Sequence, residues 1–584
     1  MKNETNEKSD LSQYNKMMEA LKADNKQAER EETERNRPPV ICLGRDGKNH
    51  VFYSTETHDV HRLPAEKINW PNLLDMAARE HWERYLFPKE TEAGAAPGKK
   101  ELVSEAQERL MNESRRKIFS PEAVRARGVW PDSAGGWLYN AGRACWHIPA
   151  DGSRPEQVEN VRKPHVYETG EALPAPTDDR LTDAEGKQLV ELLTARPWTM
   201  EGAGDLLAGW TVAALLAGCL PMRPHVWINA PAGTGKTYLK NDLAAILGDY
   251  ALSMAGMPTE AAVRQTRNSD CFPLLLDEVE PGESKKNQKN IAALLELMRN
   301  AAYEGKIYKG TQDGTGTFYL MKCNFALFSI ADDISRDADA SRIICLRMAR
   351  RSNAALSPLW ERQKAGRDMV QSKDFHSRLI SRLLALLPVI CENQKKLAAA
   401  LMTSGANARK ADIFSILMTC RHALTSHALM TSGEMENAAR MMKAYDEQDE
   451  KESDFSRCLG VLLNHTVDIY GTGKRTVADA CELVAVATAA PEVKEQAEAS
   501  LRIVGLRWRD DKGALQVDPR ADIMKKIYAG TQWDNGKIKP VLAEGCHKKG
   551  EPNAAGIWIA SARVTGAQTP QDFIFIPRNL VRLE

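Results

Sequence analysis

A glycine-rich turn that ends in lysine and threonine is the feature of this sequence that most directly indicates chemistry. An apolar run begins at His225, a Pro/Gly-rich turn follows, and Gly235-Lys236-Thr237 then opens an amphipathic segment that starts at Tyr238. In a strand, glycine loop and helix of this order, backbone N–H groups face a phosphate chain. Lys236 would reach the β- and γ-phosphates, and Thr237 would bind Mg²⁺. The stretch therefore predicts a site for a nucleoside triphosphate with Mg²⁺.

The predicted nucleotide-binding residues follow one another along this turn and helix: Ala232, Gly233, Thr234, Gly235, Lys236, Thr237 and Tyr238. The turn departs from the pattern G-x-x-x-x-G-K-[ST] because Ala230 stands where the pattern has its first glycine. Alanine tolerates a positive φ less well than glycine does, although Gly233 and Gly235 remain. The structural alternative is a strand-to-helix turn that contains Gly-Lys-Thr by coincidence.

A second motif supports nucleotide hydrolysis. Residues 271–280 form an apolar run that ends in the acidic pair Asp277 and Glu278, as a Walker B strand does. Asp277 would hold Mg²⁺, and Glu278 would orient or polarise the attacking water. An apolar strand that ends in two acids is also common at sheet edges, so this motif alone has a structural reading. The two motifs together, in this order and 41 residues apart (277 − 236), indicate that the chain binds a nucleoside triphosphate.

The overall composition is that of a globular protein without a charge bias. A chain of 584 residues is expected to form several domains, because single cores stop growing near 250–300 residues. Hydrophobic residues make up 43% and charged residues 27% of the chain. Lys+Arg and Asp+Glu both number 79, so any contact with nucleic acid has to come from local basic patches.

Cysteine usage and hydropathy predict a cytoplasmic protein without a membrane partner. The 11 cysteines form no C-x-x-C pair and have no histidine at metal-ligand spacing, which favours reduced thiols. The N-terminal residues are charged throughout, unlike a signal peptide. The longest apolar runs are too short to span a bilayer.

Hydrophobic periodicity predicts the α/β class and six regions along the chain. These are a disordered charged tail (1–37), an α+β accessory domain (38–170), the nucleotide-binding core (171–355), a helical region (356–453), a winged-helix-like domain (454–520) and a C-terminal α/β extension (521–584). Aromatic residues of the accessory domain could stack on bases, but a core role is favoured. This domain contains no zinc ribbon and no acidic cluster suited to metal-dependent polymerisation, so no primase signature is visible.

The winged-helix prediction rests on three short helices followed by a hairpin in residues 454–520. The helices are expected over Phe455–Val467, Val477–Val486 and Glu492–Val504, and the hairpin surrounds Asp-Asp-Lys-Gly. Duplex DNA would be bound through its phosphates by three basic residues of this region: Arg502, Arg507 and Arg509.

With these motifs in place, residues 183–355 resemble an AAA+ ATPase. A glycine-tipped hairpin over 305–319 precedes an apolar strand at 325–331, and Arg342 precedes another strand. More narrowly, the stretch is similar to the phage- and prophage-encoded replicative helicases that include superfamily 3 and the satellite-phage primase-helicases. The resemblance implies a P-loop core that hydrolyses ATP with Mg²⁺ and assembles into a homo-oligomer, which in this group is a hexamer.

The resemblance also implies roles for residues of the hairpin and the strand after it. In that group the hairpin carries a lysine that contacts DNA, and the matching candidates are Lys306 and Lys309. The polar sensor-1 residue would be Ser329, where the group usually has asparagine, while Asn324 lies at the other end of the strand.

Arg342 is the implied arginine finger, and Arg336 is the second candidate. A site at a subunit interface needs a cation from the neighbouring subunit to stabilise charge on the γ-phosphate, and a guanidinium provides a permanent one. The structural alternative is a salt bridge from Arg342 to Asp337 or Asp339.

Two functions therefore remain open at the level of sequence. The first is an ATP-driven oligomeric DNA motor, a replicative DNA helicase of a phage or mobile element that acts on single-stranded or forked DNA. The second is a non-helicase AAA+ switch, such as a helicase loader or a phage-defence ATPase. A small-molecule kinase or ligase is disfavoured because no second-substrate site is visible.

Overall fold

The computed structural model describes residues 37–88, 96–231, 233–256, 258–267, 270–279, 285–310, 316–329, 342–349, 353–451, 454–471, 473–485, 490–529, 531, 533, 538–543, 546, 548–553, 556–562 and 570–581. Several predictions concern residues outside these ranges: the charged tail up to residue 36, Ala232 of the glycine loop, Arg336, and the two aspartates proposed as partners of Arg342.

The N-terminal part of the chain mixes short strands and helices. An Asp-Gly turn between two strand-like runs predicts a hairpin over residues 40–53, residues 136–148 are a second hairpin candidate, and both are confirmed as the antiparallel pairs β1–β2 and β6–β7. The elements are β1 Val40–Asp46, β2 Asn49–Ser54, β3 Val60–Pro64, α1 Trp70–Met76, α2 Arg79–Leu86, α3 Lys99–Arg115, β4 Val124–Arg125, β5 Gly128–Pro131, β6 Trp137–Asn140, β7 Cys145–Ile148, β8 Glu156–Val158, β9 Val161–Arg162 and β10 His165–Tyr167.

The hydrophobic periodicity of residues 73–85 predicts a single helix. This prediction is wrong, because the structure has the two helices α1 and α2. The break lies at Ala77, whose backbone is extended (φ −160°, ψ 157°) and whose side chain is buried. The next N–H, that of Ala78, donates to the Glu56 carboxylate at 2.9 Å. A tertiary contact therefore satisfies the amide at the break, which periodicity along the helix could not reveal.

The central sheet is parallel and has the strand order β12-β13-β16-β11-β17. Every residue of β11 and β16 is buried, as expected for a parallel sheet covered on both faces. The strands expected in residues 226–228, 325–331 and 342–347 occur, with residues 330–331 outside the described residues. The strand expected from residue 271 begins at Leu274, and the α/β class is confirmed. The strands are β11 His225–Asn229, β12 Leu252–Ala255, β13 Leu274–Asp277, β16 Phe325–Ser329 and β17 Ile343–Arg347.

The helices and the hairpin of this region are α4 Asp183–Thr194, α5 Ala203–Leu215, α6 Lys236–Leu247, α7 Glu260–Arg267, α8 Lys285–Ala302, β14 Lys306–Gly310 and β15 Gly316–Leu320. Residues 181–183 are an N-cap signal for a helix beginning near Ala184, confirmed as a capping box between Thr182 and Glu185 at the start of α4. The predicted hairpin arms are confirmed as the antiparallel pair β14–β15. A helix is predicted over Ile291–Ala302, but α8 begins six residues earlier, at Lys285, because the polar stretch before Ile291 continues the helix.

The helical region after the sheet packs against the helices that precede the glycine loop. Its elements are α9 Asn353–Val370, α10 Phe375–Ala385, α11 Leu387–Thr403, α12 Ala408–Thr425 and α13 Ser432–Lys451. Two glycines allow backbones to meet: a Cβ on Gly209 of α5 would lie 1.9 Å from the carbonyl oxygen of Leu417, and one on Gly186 of α4 would lie 1.6 Å from that of Leu424. Helix α12 therefore shares one hydrophobic core with α4, α5 and the sheet.

The C-terminal elements share a core of their own. They are α14 Asp454–Asn464, β18 Thr466–Ile469, β19 Gly473–Thr476, α15 Val477–Ala485, α16 Pro491–Ile503, β20 Leu506–Arg509, β21 Ala514–Val517, α17 Asp522–Ile527, α18 Ile538–Leu542, β22 Trp558–Ala562, β23 Gln571–Pro577 and α19 Arg578–Val581. The three predicted helices and the hairpin β20–β21 are present. The first helix ends at Asn464 instead of Val467, because the next residues pair in the hairpin β18–β19.

Strand β23 pairs with β21, so the predicted boundary at residue 520 falls inside one four-stranded sheet of order β20-β21-β23-β22. The hydrophobic core under that sheet contains residues from both sides of the boundary, including Trp508, Tyr528 and Ile574. Residues 454–581 are therefore described as a single C-terminal unit.

The cysteines agree with the expectation of free thiols. All 11 are unpaired and lie scattered over the fold, and seven of them are buried. Burial raises the pKa of Cys145 and that of Cys481 to about 12. In the described part of the chain, no helix is long and apolar enough to cross a membrane.

Candidate nucleotide-binding site

The glycine loop starts where β11 ends, at the carboxyl edge of the sheet. Ala230 continues the strand pairing, since its N–H donates to the Ser329 carbonyl at 3.0 Å. Its φ is not positive, so the position at which the chain departs from the P-loop pattern does not require glycine in this structure. The alanine is accommodated without backbone strain.

Gly233 and Gly235 have positive φ values of 83° and 91°, a conformation that L-residues rarely adopt. A Cβ at either position would meet nothing within 4 Å, so the backbone conformation and not crowding requires glycine here. Between them, Thr234 is buried and its hydroxyl donates to the Pro231 carbonyl at 2.8 Å, which closes the turn. The loop is thus held from within and has open space beside both glycines.

Helix α6 begins directly after Gly235, and its N-terminus is available to an anion. Gly235 is the N-cap, no side chain caps the first turn, and this turn carries no acidic residue. The first N–H groups of a helix lack intrahelical partners and favour negative charge. Lys236 is half-buried at the first position, while Thr237 and Tyr238 are exposed at the next two. The predicted nucleotide-binding residues described by the structure are therefore brought together at this helix end.

The two acidic residues follow the buried part of β13. Asp277 is the last residue of the strand, and Glu278 has a left-handed backbone conformation with φ 58°. A non-glycine residue in this region costs about 1–3 kcal/mol and persists only where the surroundings enforce it. They do so here, because the N–H of the buried Val279 donates to the Phe328 carbonyl at 3.1 Å. This backbone leaves the Glu278 side chain exposed beside the loop edge of the sheet.

Lys240 is a site residue that the motifs did not identify. Its Nζ lies 2.6 Å from Oδ2 of Asp277, and the two side chains are 24% and 16% exposed. Lys240 is one helical turn after Lys236 on α6, so the Asp277 carboxylate faces the helix that starts at the glycine loop. In the sequence, the signal that could have identified Lys240 was its position four residues after Lys236 on the nucleotide-binding helix.

These residues fit ATP with Mg²⁺. The glycines leave room beside the loop, the helix N-terminus is uncapped, and the Asp277 carboxylate already lies against a cation. Thr237 and Asp277 would be the protein ligands of the ion, with phosphate oxygens as its remaining partners. In the ranges that the structure describes, no group of three or more His, Cys, Asp or Glu side chains is placed to hold a metal by itself.

Ser329, predicted as the sensor-1 residue, is buried between two residues of β11. Its hydroxyl accepts from the Trp227 indole at 2.7 Å and donates to Oδ1 of Asn229 at 3.0 Å. Asn229 is the last strand residue before the glycine loop, so Ser329 positions the side chain at the base of that loop. Asn324 lies at the opposite end of β16 and donates to the Pro224 carbonyl at 2.6 Å.

Arg342, predicted as an arginine finger, lies at the opposite edge of the sheet from the glycine loop. Its carbonyl accepts from the His225 N–H at the start of β11, whereas the loop follows the last residue of that strand. At about 3.3 Å per residue, the two ends of the strand are roughly 15 Å apart. The Arg342 guanidinium lies 5.8 Å from the ring of Tyr303. Within one chain, Arg342 and the glycine loop are not brought together.

Helix α6 is also tied to the helical region through Asp242, which sequence reasoning missed. Asp242 forms ion pairs with the buried Arg196 and with Arg367 of α9, the latter at 3.1 Å. Arg367 donates in addition to Gln363 at 2.6 Å. A shift of the nucleotide-binding helix would therefore be transmitted to α9.

The hairpin β14–β15 is anchored to the accessory region. Nζ of Lys306 lies 2.7 Å from Oε1 of Glu122, with the side chains 36% and 52% exposed. A hydrogen bond from Lys306 holds the pKa of Glu122 below its usual value. The Lys309 backbone pairs with Thr317, and its side chain lies outside the described residues. Of the two lysines predicted to contact DNA, Lys306 is therefore paired with a carboxylate in the structure.

The predicted DNA contacts of the C-terminal unit differ in their surroundings. Arg502 pairs with Glu498 at 2.8 Å, and Arg509 pairs with Asp511 at 2.9 Å, while Arg507 is exposed on β20. All three belong to the C-terminal unit, whose core does not include the residues of the glycine loop.

Comparisons with known proteins yield distant likenesses only. No protein-family model and no curated protein matches this chain. Among solved structures, SCCmec type IV Cch, described as an active helicase, matches 93% of this chain and 94% of its own, with 12% identity and a TM-score of 0.39. A Cytophaga hutchinsonii protein described provisionally as an ATPase matches 44% of this chain and 85% of its own, with 13% identity and a TM-score of 0.28. Both TM-scores are below 0.5.

Proposed function

We propose that this protein is an ATP-hydrolysing, oligomeric DNA motor, a replicative helicase of a phage or other mobile element. The observation that carries the proposal is the glycine loop with an uncapped helix N-terminus, together with Asp277 held beside that helix. Both groups project from the carboxyl edge of one parallel sheet, where α/β proteins place their ligands. The resemblance of residues 183–355 to AAA+ ATPases supports the same reading.

In this proposal each residue has a defined task. Lys236 and the first N–H groups of α6 hold the phosphates, and Asp277 with Thr237 holds the metal ion. Mg²⁺, when bound, neutralises charge on the β- and γ-phosphates. Glu278 orients the attacking water, and its left-handed backbone conformation sets the direction in which its side chain leaves the sheet edge. Lys240 would compete with the metal ion for the Asp277 carboxylate, because its ammonium already lies against Oδ2.

The proposal of an oligomer, specifically a hexamer, is supported by the location of Arg342. A guanidinium at the edge of the sheet opposite the glycine loop acts as an arginine finger only on a nucleotide bound by another subunit. ATP would then be hydrolysed between subunits, and the helical region that grips α6 through Asp242 would move with it.

A switch function remains the second candidate, because of one observation. Lys306 at the base of the hairpin is bound by Glu122 of the accessory region, so that lysine is not presented to a nucleic acid in this state. A helicase loader or defence ATPase would use the same nucleotide site to make or break such a contact.

Strand displacement on a forked duplex tests the proposal. The parent protein with ATP and Mg²⁺ should separate the strands, sediment as a hexamer with ATP, and hydrolyse ATP faster when single-stranded DNA is added. The Lys236→Ala variant is the control that should do none of these. ATP hydrolysis without unwinding and without stimulation by DNA would favour the switch over the motor.

A further inference from the structure

The hairpin of residues 466–476, formed by β18 and β19, projects an aromatic side chain into solvent. Val467 and Ile469 of β18 are buried in the core of the C-terminal unit and fix the base of the hairpin. The next residue, Tyr470, is 85% exposed. It has the largest exposed fraction of any aromatic side chain that the structure describes. Packing within the chain therefore does not account for an aromatic side chain at this position.

The turn around Tyr470 does not require a tyrosine. Gly471 and Gly473 have positive φ values of 82° and 78°, so these two residues make the sharp reversal. The base is fixed from both sides, by the Val477 N–H donating to the His465 carbonyl at 2.8 Å and by the Ser500 hydroxyl donating to the Asp468 carbonyl at 2.7 Å. A flat ring on a supported turn is a surface on which a base can stack at low entropic cost.

Two cations follow on the second arm. Lys474 and Arg475 are both exposed, and in the described part of the chain neither forms a hydrogen bond or ion pair with a carboxylate. Asp468 lies opposite Lys474 in the strand register, which leaves the hairpin with a net charge of +1 (Lys474 and Arg475 against Asp468). Arg502 and Arg509 of the same unit are instead engaged by neighbouring carboxylates.

The helix that would be the recognition helix of a winged helix is less suited to DNA. Helix α16 carries Glu492, Glu495 and Glu498 against Lys494 and Arg502, a net charge of −1. An acidic helix is repelled by phosphates, whereas neutralising phosphates is what drives binding to nucleic acid. Within the C-terminal unit, charge complementarity therefore favours the hairpin over the helix.

We propose that the 466–476 hairpin binds single-stranded DNA, with Tyr470 stacked on a base and with Lys474 and Arg475, which leave opposite faces of β19, each on a phosphate of the strand that passes the hairpin. An exposed ring near two exposed cations, on a hairpin of net charge +1, matches the alternation of base and phosphate along a strand. The inference rests on the proposed function in taking DNA as the polymer, and it places the contact on this hairpin instead of on Arg502 of α16 and on Arg507 and Arg509 of β20.

Binding of fluorescein-labelled oligo(dT) to the full-length protein, followed by fluorescence anisotropy without ATP, tests the inference. Tyr470→Ala should weaken binding by about five- to a hundredfold, as expected for loss of one base stack. Tyr470→Phe keeps the ring and should bind within about twofold of the parent. Replacing both Lys474 and Arg475 by Ala should reduce the slope of log K against log salt by about 1.4, the value for two phosphate contacts on a single strand.

Arg502→Ala is the matched control, since it removes an exposed cation of the same unit that is already paired with Glu498. Its DNA affinity should remain close to that of the parent. If Arg502→Ala weakens binding while the hairpin variants bind normally, the recognition helix is the contact and the inference is overturned.

ATPase assays separate failure of this inference from failure of the proposed function. Hairpin variants should keep the basal ATPase rate, because no hairpin residue belongs to the nucleotide site. Hairpin variants that keep full DNA affinity, in a parent whose ATPase is stimulated by DNA, would overturn the inference alone and point to a protein partner at the tip. A parent that binds no DNA would overturn both.

Discussion

Glu278 combines an acidic side chain with a backbone conformation that few residues adopt. Glu278→Gln keeps the size of the side chain and leaves Asp277 in place, so ATP should bind and persist. Hydrolysis should fall at least about a hundredfold, because an amide cannot polarise water. Nucleotide retention and phosphate release measure the two effects separately, and Lys236→Ala should lose both. A Glu278→Gln variant that neither binds nor retains ATP would show that the residue has a structural role.

Lys240 competes with the metal ion for the Asp277 carboxylate. Lys240→Met removes an ammonium 2.6 Å from the carboxylate oxygen while keeping the apolar part of the chain. The Mg²⁺ concentration needed for half-maximal binding of ATP should fall a few-fold, which calorimetric titration with non-hydrolysable ATP would measure. Lys396→Met, which removes a lysine from an exposed pair on α11, is the control and should have no effect. An unchanged or higher Mg²⁺ requirement in Lys240→Met would contradict the competition.

His225, at the start of β11, should make stability depend on pH. Complete burial lowers its pKa from 6.5 to about 3, and the neutral ring donates to the Met298 carbonyl and accepts from the Phe325 N–H. The unfolded chain takes up a proton as pH falls below 6.5, and the folded protein does not until pH nears 3. The contribution of the neutral His225 ring to the free energy of unfolding is therefore complete above pH 6.5. It is lost on acidification, by up to about 1.4 kcal/mol per pH unit.

Denaturant unfolding of the parent and of His225→Gln between pH 7 and pH 4.5 measures the pH-dependent contribution of His225 to stability. The glutamine side chain offers one donor and one acceptor but does not titrate. The free energy of unfolding should fall more steeply with decreasing pH in the parent than in the variant. Equal slopes of the free energy of unfolding against pH would mean that burial of His225 does not make stability depend on pH.

At the scale of elements, the hairpin β14–β15 distinguishes a motor from a switch. Replacing Lys306 and Lys309 by Ala should leave basal ATP hydrolysis within a few-fold, because neither residue lies in the nucleotide site. Stimulation by DNA and strand separation should be lost, if these lysines hold phosphates. Glu122→Gln is the informative companion, since it frees Lys306 and should strengthen DNA binding. A double lysine variant that unwinds DNA as well as the parent would exclude the hairpin as the DNA contact.

Elements with a strong local signal could be predicted from sequence, whereas contacts between elements could not. The strand of Asp277, the arms of the hairpin and the capping box at Thr182 follow from periodicity, glycine placement and cap chemistry. The Lys240–Asp277 pair and the role of Ser329 in holding Asn229 depend on the strand order, which places β16 between β11 and β13. The break at Ala77 depends on a carboxylate from a distant turn.

At the scale of the whole molecule, the C-terminal unit should fold only when it is complete. A fragment of residues 454–520 lacks β22 and β23, which pair with β21, and lacks Tyr528 and Ile574 of the shared core. A fragment of residues 454–584 retains them. The longer fragment should show a cooperative thermal transition by circular dichroism, and the shorter one should show none. Cooperative unfolding of the shorter fragment would establish 454–520 as an independent domain.

The distribution of cysteines makes the molecule suitable for site-specific spectroscopic labelling. Thiol reagents attack the thiolate, and burial raises the pKa of Cys271, just before β13, and of Cys481 in the C-terminal unit. A cysteine introduced at the exposed position 466, at the start of the 466–476 hairpin, would leave Tyr470 in place and should react faster with a maleimide dye than these buried thiols. A fluorophore attached there would report the distance from the hairpin to a labelled DNA strand during each ATP cycle.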